Sequence, residues 1–134
     1  WTTHGAWVAA VKPDFGPGIR DRFAAAAAID PAALSAAQRV RVAITTRLRA
    51  MLPAGTVLLL PSSHDVAPMR GAPPAELEAF RALALTLLCP AGHAGLPQAS
   101  LPLAAVDGLP VGLSVVGGPG SDEDLLALAQ ALAG

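Results

Sequence analysis

Residues 98–117 read QASLPLAAVDGLPVGLSVVG, and the architecture of the chain can be derived outward from them. Two apolar runs flank Asp107-Gly108, a dipeptide that favours the tight two-residue turn between antiparallel strands. Both runs carry apolar residues at odd and even positions, which is typical of strands covered on both faces of a sheet. The stretch therefore predicts a β-hairpin in a sheet with other elements packed on each side.

Helices and one further strand are predicted around this hairpin. Residues 56–61, TVLLLP, form a short apolar run between turn signals and predict a buried strand. The proline-rich residues 62–74 predict a loop. This order indicates an α/β fold in one domain, with helices layered on a partly antiparallel sheet. The predicted helices lie at residues 2–11, along the alanine run 24–28, after Asp30 as an N-cap, over residues 76–89 and after Ser121.

Apolar periodicity predicts which helix faces are covered. The helix over residues 76–89 is apolar on every side after Arg81, which predicts a buried helix. Ser121 and Asp124 have the spacing of a capping box at the start of the last helix. Two other helices each have a single apolar stripe. These stripes consist of Val40, Ile44, Leu48 and Met51 in the third helix, and of Leu125, Leu128, Ala129 and Leu132 in the last.

The composition limits the class of protein. Hydrophobic residues make up 53% of the 134 residues and charged residues only 14%, so we expect part of the surface to be covered by another subunit or another portion of the same polypeptide. The net charge of −1 comes without a basic block, which argues against nucleic-acid binding. Prolines and glycines interrupt the uncharged residues 82–106, so no membrane span is expected. The single cysteine excludes an internal disulfide and favours a cytoplasmic location.

Two groups of residues are candidates for nucleophilic chemistry. Residues 62–65 read Ser-Ser-His-Asp, but neighbours on an extended chain point in different directions, which argues against a triad. Cys89 and His93 are predicted to lie in a Pro/Gly loop at the end of an apolar helix. The negative end of the helix dipole disfavours a thiolate there, so a packed thiol is the preferred interpretation. The chain also lacks a recognised zinc-binding spacing.

Two stretches, VLLLPSSHDVAP and AGHAGLPQASLPLAAVDGLPVGLSVVGGPGSDEDLLALA, resemble the carboxy-terminal part of the amidase signature family. The resemblance is close over residues 56–134 and holds only in general layout before them. The motifs that carry it are the strand-ending Pro61, the following Ala67-Pro68, Gly95-Leu96-Pro97, the hairpin motif Leu-Pro-Val-Gly at 109–112, a glycine turn with acidic residues, and a leucine-rich final helix.

This resemblance implies hydrolysis of amides by a serine that is activated through a second serine and a lysine. The chain has neither a matching Gly/Ser-rich stretch nor a suitable lysine, since its only lysine, Lys12, lies in a Lys-Pro turn. We therefore expect residues 1–134 to form the C-terminal part of an α/β/α amidase fold with a mixed sheet, inactive in isolation. The resemblance implies substrate-binding roles for Ser62, Ser63, Leu85, Cys89 and, as a neighbour, His93, with no metal and no cofactor.

Two alternatives stay open at this stage. One is an amidotransferase A-type subunit that acts on misacylated tRNA, and the other is a stand-alone noncatalytic interaction module. The expected partners are a small-molecule amide, bound by the full-length enzyme, and an N-terminal portion of that enzyme. A homodimer is also left open.

Overall fold

The secondary structure follows the predicted order of helices and strands. A computed structural model describes residues 1–134, except for the side chain of Pro17. The chain divides into two compact units, Trp1–Val40 and Arg41–Gly134, and the division falls within the sequence of the third helix. The expected single domain stays a prediction. None of the described helices is long and apolar enough to cross a membrane. The elements are α1 (Gly5–Val11), α2 (Pro17–Ala27), α3 (Pro31–Met51), β1 (Val57–Pro61), α4 (Pro74–Ala94), β2 (Gln98–Val106), β3 (Leu109–Gly117) and α5 (Asp122–Ala133).

Aromatic side chains pack against one another in the first unit. Phe15 and Phe23 stack with their ring centroids 4.7 Å apart. α1 begins at Gly5, three residues later than predicted, because the Gly5 amide donates to the Trp1 carbonyl in a preceding turn.

The start of α3 is as predicted, but its apolar stripe is not covered. The Asp30 carboxylate accepts a hydrogen bond of 2.9 Å from the Ala33 amide, which confirms Asp30 as the N-cap. Leu52, directly after the helix, is only 5% exposed, and Leu48 is half-buried. The other members of the predicted stripe are exposed: Val40 by 58%, Ile44 by 42% and Met51 by 56%.

The three strands form one antiparallel sheet in the order β1-β3-β2. Asp107 and Gly108, with φ of 50° and 78°, form the two-residue turn of the predicted hairpin. β1 pairs with the other side of β3, where Leu60 lies opposite Ser114. β1 and β2 run in the same direction but are separated by β3. No two parallel strands are therefore adjacent among the described residues, and the expected mixed sheet is not seen there.

A β-bulge interrupts the hairpin at Pro102. The register pairs Ala104 with Val111 and then Leu101 with Leu113, so Pro102 and Leu103 together oppose Gly112. Proline has no amide to donate to the ladder and is commonly found at such bulges. The bulge shifts the pairing of all the preceding residues of β2 by one position.

Helices cover both faces of the sheet in the second unit. Val115 and Val116 point to opposite faces and are 0% and 3% exposed. Val116 packs with the buried Leu52 and with Ala91 of α4. α5 contacts β2 and β3 and buries Leu125 and Ala129. Five helices and one antiparallel sheet confirm the α/β class that the sequence predicts.

α4 is longer than predicted, and this corrects the position of two candidate residues. The helix continues through Pro90 to Ala94, so Cys89 and His93 lie on a helix, and the predicted Pro/Gly loop at this position is wrong. Pro90 cannot donate an amide hydrogen to the Thr86 carbonyl, and the Cys89 thiol instead approaches that carbonyl at 3.8 Å. The helix ends at Gly95, whose φ of 61° suits a glycine C-cap.

Two expectations about helix surroundings are also wrong. α4 buries only Ala91 and Ala94, whereas Leu83 is 55% exposed, so the helix is not buried on every side. The Ser121 hydroxyl donates to the Gly118 carbonyl at 2.8 Å and does not cap α5. In the predicted α5 stripe, Leu125 and Ala129 are buried, Leu128 is half-buried and Leu132 is 43% exposed.

Candidate functional site

Ser62 is the first residue after the edge strand β1, and it lies beside the central strand β3. Its backbone amide donates a hydrogen bond of 2.7 Å to the carbonyl of Gly112 on β3. This bond extends the β1–β3 ladder by one residue, because Pro61 pairs with Leu113 directly before it. The Ser62 side chain is half-buried and lies over β3.

Three serine hydroxyls and one amide side chain form a continuous hydrogen-bonded group around Ser62. The Ser62 Oγ lies 2.5 Å from Ser100 Oγ and 2.7 Å from Ser114 Oγ. The Gln98 Nε2 donates to Ser114 Oγ at 2.9 Å. We refer to Ser62, Ser100, Ser114 and Gln98 as the hydroxyl cluster. Ser114 is fully buried, whereas Ser100 and Gln98 are exposed.

Gly112 leaves the space that the hydroxyl cluster occupies. A Cβ atom at this position would lie 2.7 Å from Ser62 Oγ and 3.1 Å from Ser100 Oγ. Contacts as short as the first are essentially never seen for real Cβ atoms. The absence of a side chain on β3 opposite the bulge is therefore a condition for bringing the two hydroxyls together.

The four consecutive residues 62–65 do not form a triad. The His64 ring packs against Phe80 with centroids 4.6 Å apart. The Asp65 carboxylate accepts a hydrogen bond from the Val66 amide at 2.7 Å. His64 thus packs on α4 and Asp65 bonds to its chain neighbour, and neither side chain hydrogen-bonds to a serine hydroxyl among the described residues.

The remaining predicted site residues lie in two places. The Ser63 Oγ accepts a hydrogen bond of 3.4 Å from the Asp65 amide. Leu85, Cys89 and His93 recur at a spacing of four and share one side of α4. Leu85 is 58% exposed, His93 is exposed and Cys89 is half-buried. Among the described residues, no hydrogen bond joins this side of α4 to the hydroxyl cluster, so the predicted substrate-binding role of the whole set stays a prediction.

Ser100, Ser114, Gln98 and Gly112 are missing from the predicted site. Continuing the pairing of Ala104 with Val111 without a bulge would place Ser100 opposite Val115, on the wrong face of the sheet. The bulge places it opposite Ser114 instead. The signal for this shift is Pro102 within the strand, because proline inside an otherwise regular strand marks a bulge or an edge.

No group of three or more His, Cys, Asp or Glu side chains suited to a metal ion occurs in the described part of the chain.

Comparison with known proteins shows the family to which this chain is related. A family model described as Amidase matches residues 10–126. The chain belongs to the amidase family. Amidase 1 of Arabidopsis thaliana is 39% identical over 130 residues, which are 97% of this chain and 31% of that protein. A crystal structure of an amidase matches with a TM-score of 0.73 at 33% identity, covering 94% of this chain and 30% of the other.

A glutamyl-tRNA(Gln) amidotransferase provides a further structural match. The crystal structure of its A-type subunit from Thermotoga maritima has a TM-score of 0.62 at 29% identity, covering 87% of this chain and 27% of that one. The chain thus spans about a third or less of the length of the amidase-family proteins that it matches.

Proposed function

We propose that residues 1–134 form the C-terminal part of an amide-bond hydrolase and supply strands and part of the wall of its substrate pocket. The observation that carries this proposal is the hydroxyl cluster around Ser62, the position at which the resemblance to amidases puts the acyl pocket. The cluster is an ordered polar site on an otherwise apolar sheet face, next to Leu60. A few fixed hydrogen-bonding groups on apolar walls are typical of small-molecule sites.

The chain's own hydroxyls lack the partner that hydrolysis requires. A serine nucleophile needs a general base within hydrogen-bond reach. No histidine, lysine or carboxylate of the described residues hydrogen-bonds to the hydroxyl cluster, whose partners are other hydroxyls and one amide. We therefore assign the nucleophile and its activating residues to another region of a longer amidase, whose strands would extend the sheet into a mixed one.

A role within a transamidase is the second candidate function, favoured by the match to the Thermotoga amidotransferase. The chain's nine cationic side chains are spread without a basic block, which gives no support for a tRNA contact by this region. Hydrolysis of a simple amide without tRNA, by an enzyme containing this chain, would favour the first candidate.

The proposal is tested by exchanging this region into a related enzyme. Residues 1–134 replace the matching 31% of the Arabidopsis amidase, and hydrolysis of an amide accepted by the parent enzyme is measured. We expect the chimera to be active and the isolated chain to be inactive. A folded but inactive chimera would contradict the proposal.

Cys89 provides a second control for the same assay. We expect a Cys89→Ala chimera to retain turnover, with any effect confined to KM, because the half-buried thiol on α4 would line the pocket wall and would not attack the substrate. Turnover by the isolated chain that is abolished by Cys89→Ala would show instead that the chain carries its own nucleophile.

A further inference from the structure

The hydrogen bonds of the hydroxyl cluster have one consistent direction. Ser114 is fully buried, and its Oγ has two partners among the described residues, Gln98 Nε2 and Ser62 Oγ. The Gln98 Nε2 only donates, so the Ser114 hydrogen can be satisfied only by the Ser62 oxygen. The opposite direction would leave a buried hydroxyl hydrogen without an acceptor, which is unfavourable.

The direction of the Ser114 hydrogen bond fixes the directions of the remaining hydrogen bonds in the cluster. The Ser62 oxygen accepts from Ser114, and its own hydrogen is directed to Ser100 Oγ at 2.5 Å. Ser100 then accepts one hydrogen bond, and its own hydrogen has no partner among the described residues. Since Ser100 is exposed, this hydrogen is the one hydroxyl donor that the cluster presents outward. Hydrogen bonds arranged head to tail polarise one another and strengthen the terminal donor.

Ser100 borders a concave surface at the β-bulge. This concavity, of about 260 Å³, is formed by Ser100 with Leu101, Pro102, Pro110, Val111 and Gly112. Its side chains are apolar apart from the Ser100 hydroxyl, and none is charged. Such a surface suits a neutral ligand with an apolar body and a single hydrogen-bond acceptor.

We infer that the Ser100 hydroxyl is a donor subsite for a carbonyl oxygen of the amide substrate, with Ser62, Ser114 and Gln98 as the positioning residues that direct its hydrogen outward. The inference rests on the proposed function for the identity of the ligand, but the binding step itself requires no hydrolysis. Within the pocket wall, it assigns the ligand contact to Ser100, because the Ser62 hydrogen is already used inside the cluster.

The probe is propionamide labelled with ¹³C at the carbonyl, and its binding to the 134-residue chain is measured by ligand-observed NMR. The protein concentration is kept below that at which the chain associates. Methyl propionate serves as a second probe, because it has the carbonyl acceptor but no N–H donor. We expect both probes to bind. We expect Ser100→Ala to weaken binding about two- to tenfold, the range for loss of one hydrogen bond. Ser35→Ala removes an exposed hydroxyl from α3 and should leave the affinity unchanged.

Two substitutions at Gln98 test the direction of the cluster without removing a serine. Gln98→Glu places an acceptor beside Ser114, which reverses each hydrogen bond and turns Ser100 into an acceptor, so carbonyl binding should fall as far as in Ser100→Ala. Gln98→Lys keeps a donor there and should retain binding. Three results would each overturn the inference. The wild-type chain binds neither probe, Ser100→Ala leaves the affinity unchanged, or both Gln98 substitutions change the affinity equally.

The outcome is separable from that of the proposed function. Probe binding that depends on Ser100, together with an inactive chimera, would support the subsite and contradict the amidase assignment. An active chimera, together with binding that does not depend on Ser100, would support the amidase assignment and contradict the subsite.

Discussion

Gly112 is the residue at which the bulge, the end of β1 and the hydroxyl cluster meet. Its carbonyl accepts a hydrogen bond from the Ser62 amide, and its missing side chain leaves room for Ser62 Oγ and Ser100 Oγ. Its backbone does not require positive φ, unlike that of Gly95 or Gly108. The requirement for glycine at this position is therefore one of space.

We predict that Gly112→Ala destabilises the chain by about 1–3 kcal/mol, the usual cost of forcing an extra carbon into a packed site. The Cβ atom would lie 2.8 Å from the Ser62 Cβ, so Ser62 must move and the hydroxyl cluster must separate. Urea unfolding measures the change in free energy of unfolding. Gly92→Ala is the control, because Gly92 lies in α4 with open space where a Cβ atom would be. This variant should be about 0.5–1 kcal/mol more stable than the wild-type chain. Equal effects of the two substitutions would contradict this account.

The sequence predicts the position of Ser62 in the site but not the positions of its hydrogen-bonding partners. Ser62 follows a strand-ending proline, so its position at the end of β1 can be predicted. The partnership of Ser100 with Ser114 cannot be read from a regular two-residue hairpin, because one bulged residue moves every preceding side chain to the other face. A single proline thus decides which face of the sheet receives the hydroxyl.

At the scale of elements, α4 shows how tertiary contacts extend a helix past a proline. Pro90 lacks the amide hydrogen that the Thr86 carbonyl would accept, and local sequence rules therefore predict an end at Cys89. The last turn is held instead by Arg49, whose Nε donates to the Ala94 carbonyl at 2.8 Å. This contact comes from a residue 45 positions away, which local patterns do not reveal.

We predict that Arg49→Met destabilises the chain by about 1–2 kcal/mol, because it removes a charge-assisted hydrogen bond at the negative end of α4 while keeping much of the apolar stem. Thermal unfolding followed by circular dichroism measures the loss. Arg47→Met is the matched control, since Arg47 is exposed and makes no hydrogen bond among the described residues, and its effect should stay within about 0.5 kcal/mol. An Arg49 variant as stable as the Arg47 variant would show that α4 ends independently of α3.

At the scale of the whole molecule, apolar side chains are exposed on the edge strands as well as on the helices. Leu59 of β1 is 54% exposed, and Leu103 of β2 is 43% exposed. Among the residues that the structure describes, each edge strand pairs only with β3, which leaves the backbone groups on its other side unpaired. Hydrophobic composition predicts that such surfaces exist, but only the strand order shows that they include both sheet edges.

We predict that the isolated chain self-associates in a concentration-dependent manner through these apolar surfaces, which sedimentation velocity and light scattering measure. Leu59→Lys should reduce association, because a charged side chain on an edge strand opposes pairing with another copy. Thr46→Lys adds the same charge at an exposed polar position of α3 and should have a much smaller effect. A chain that stays monomeric at all accessible concentrations and unfolds cooperatively would favour the stand-alone interaction module. Its apolar edges would then be tolerated in water and would not need a larger amidase sheet to cover them.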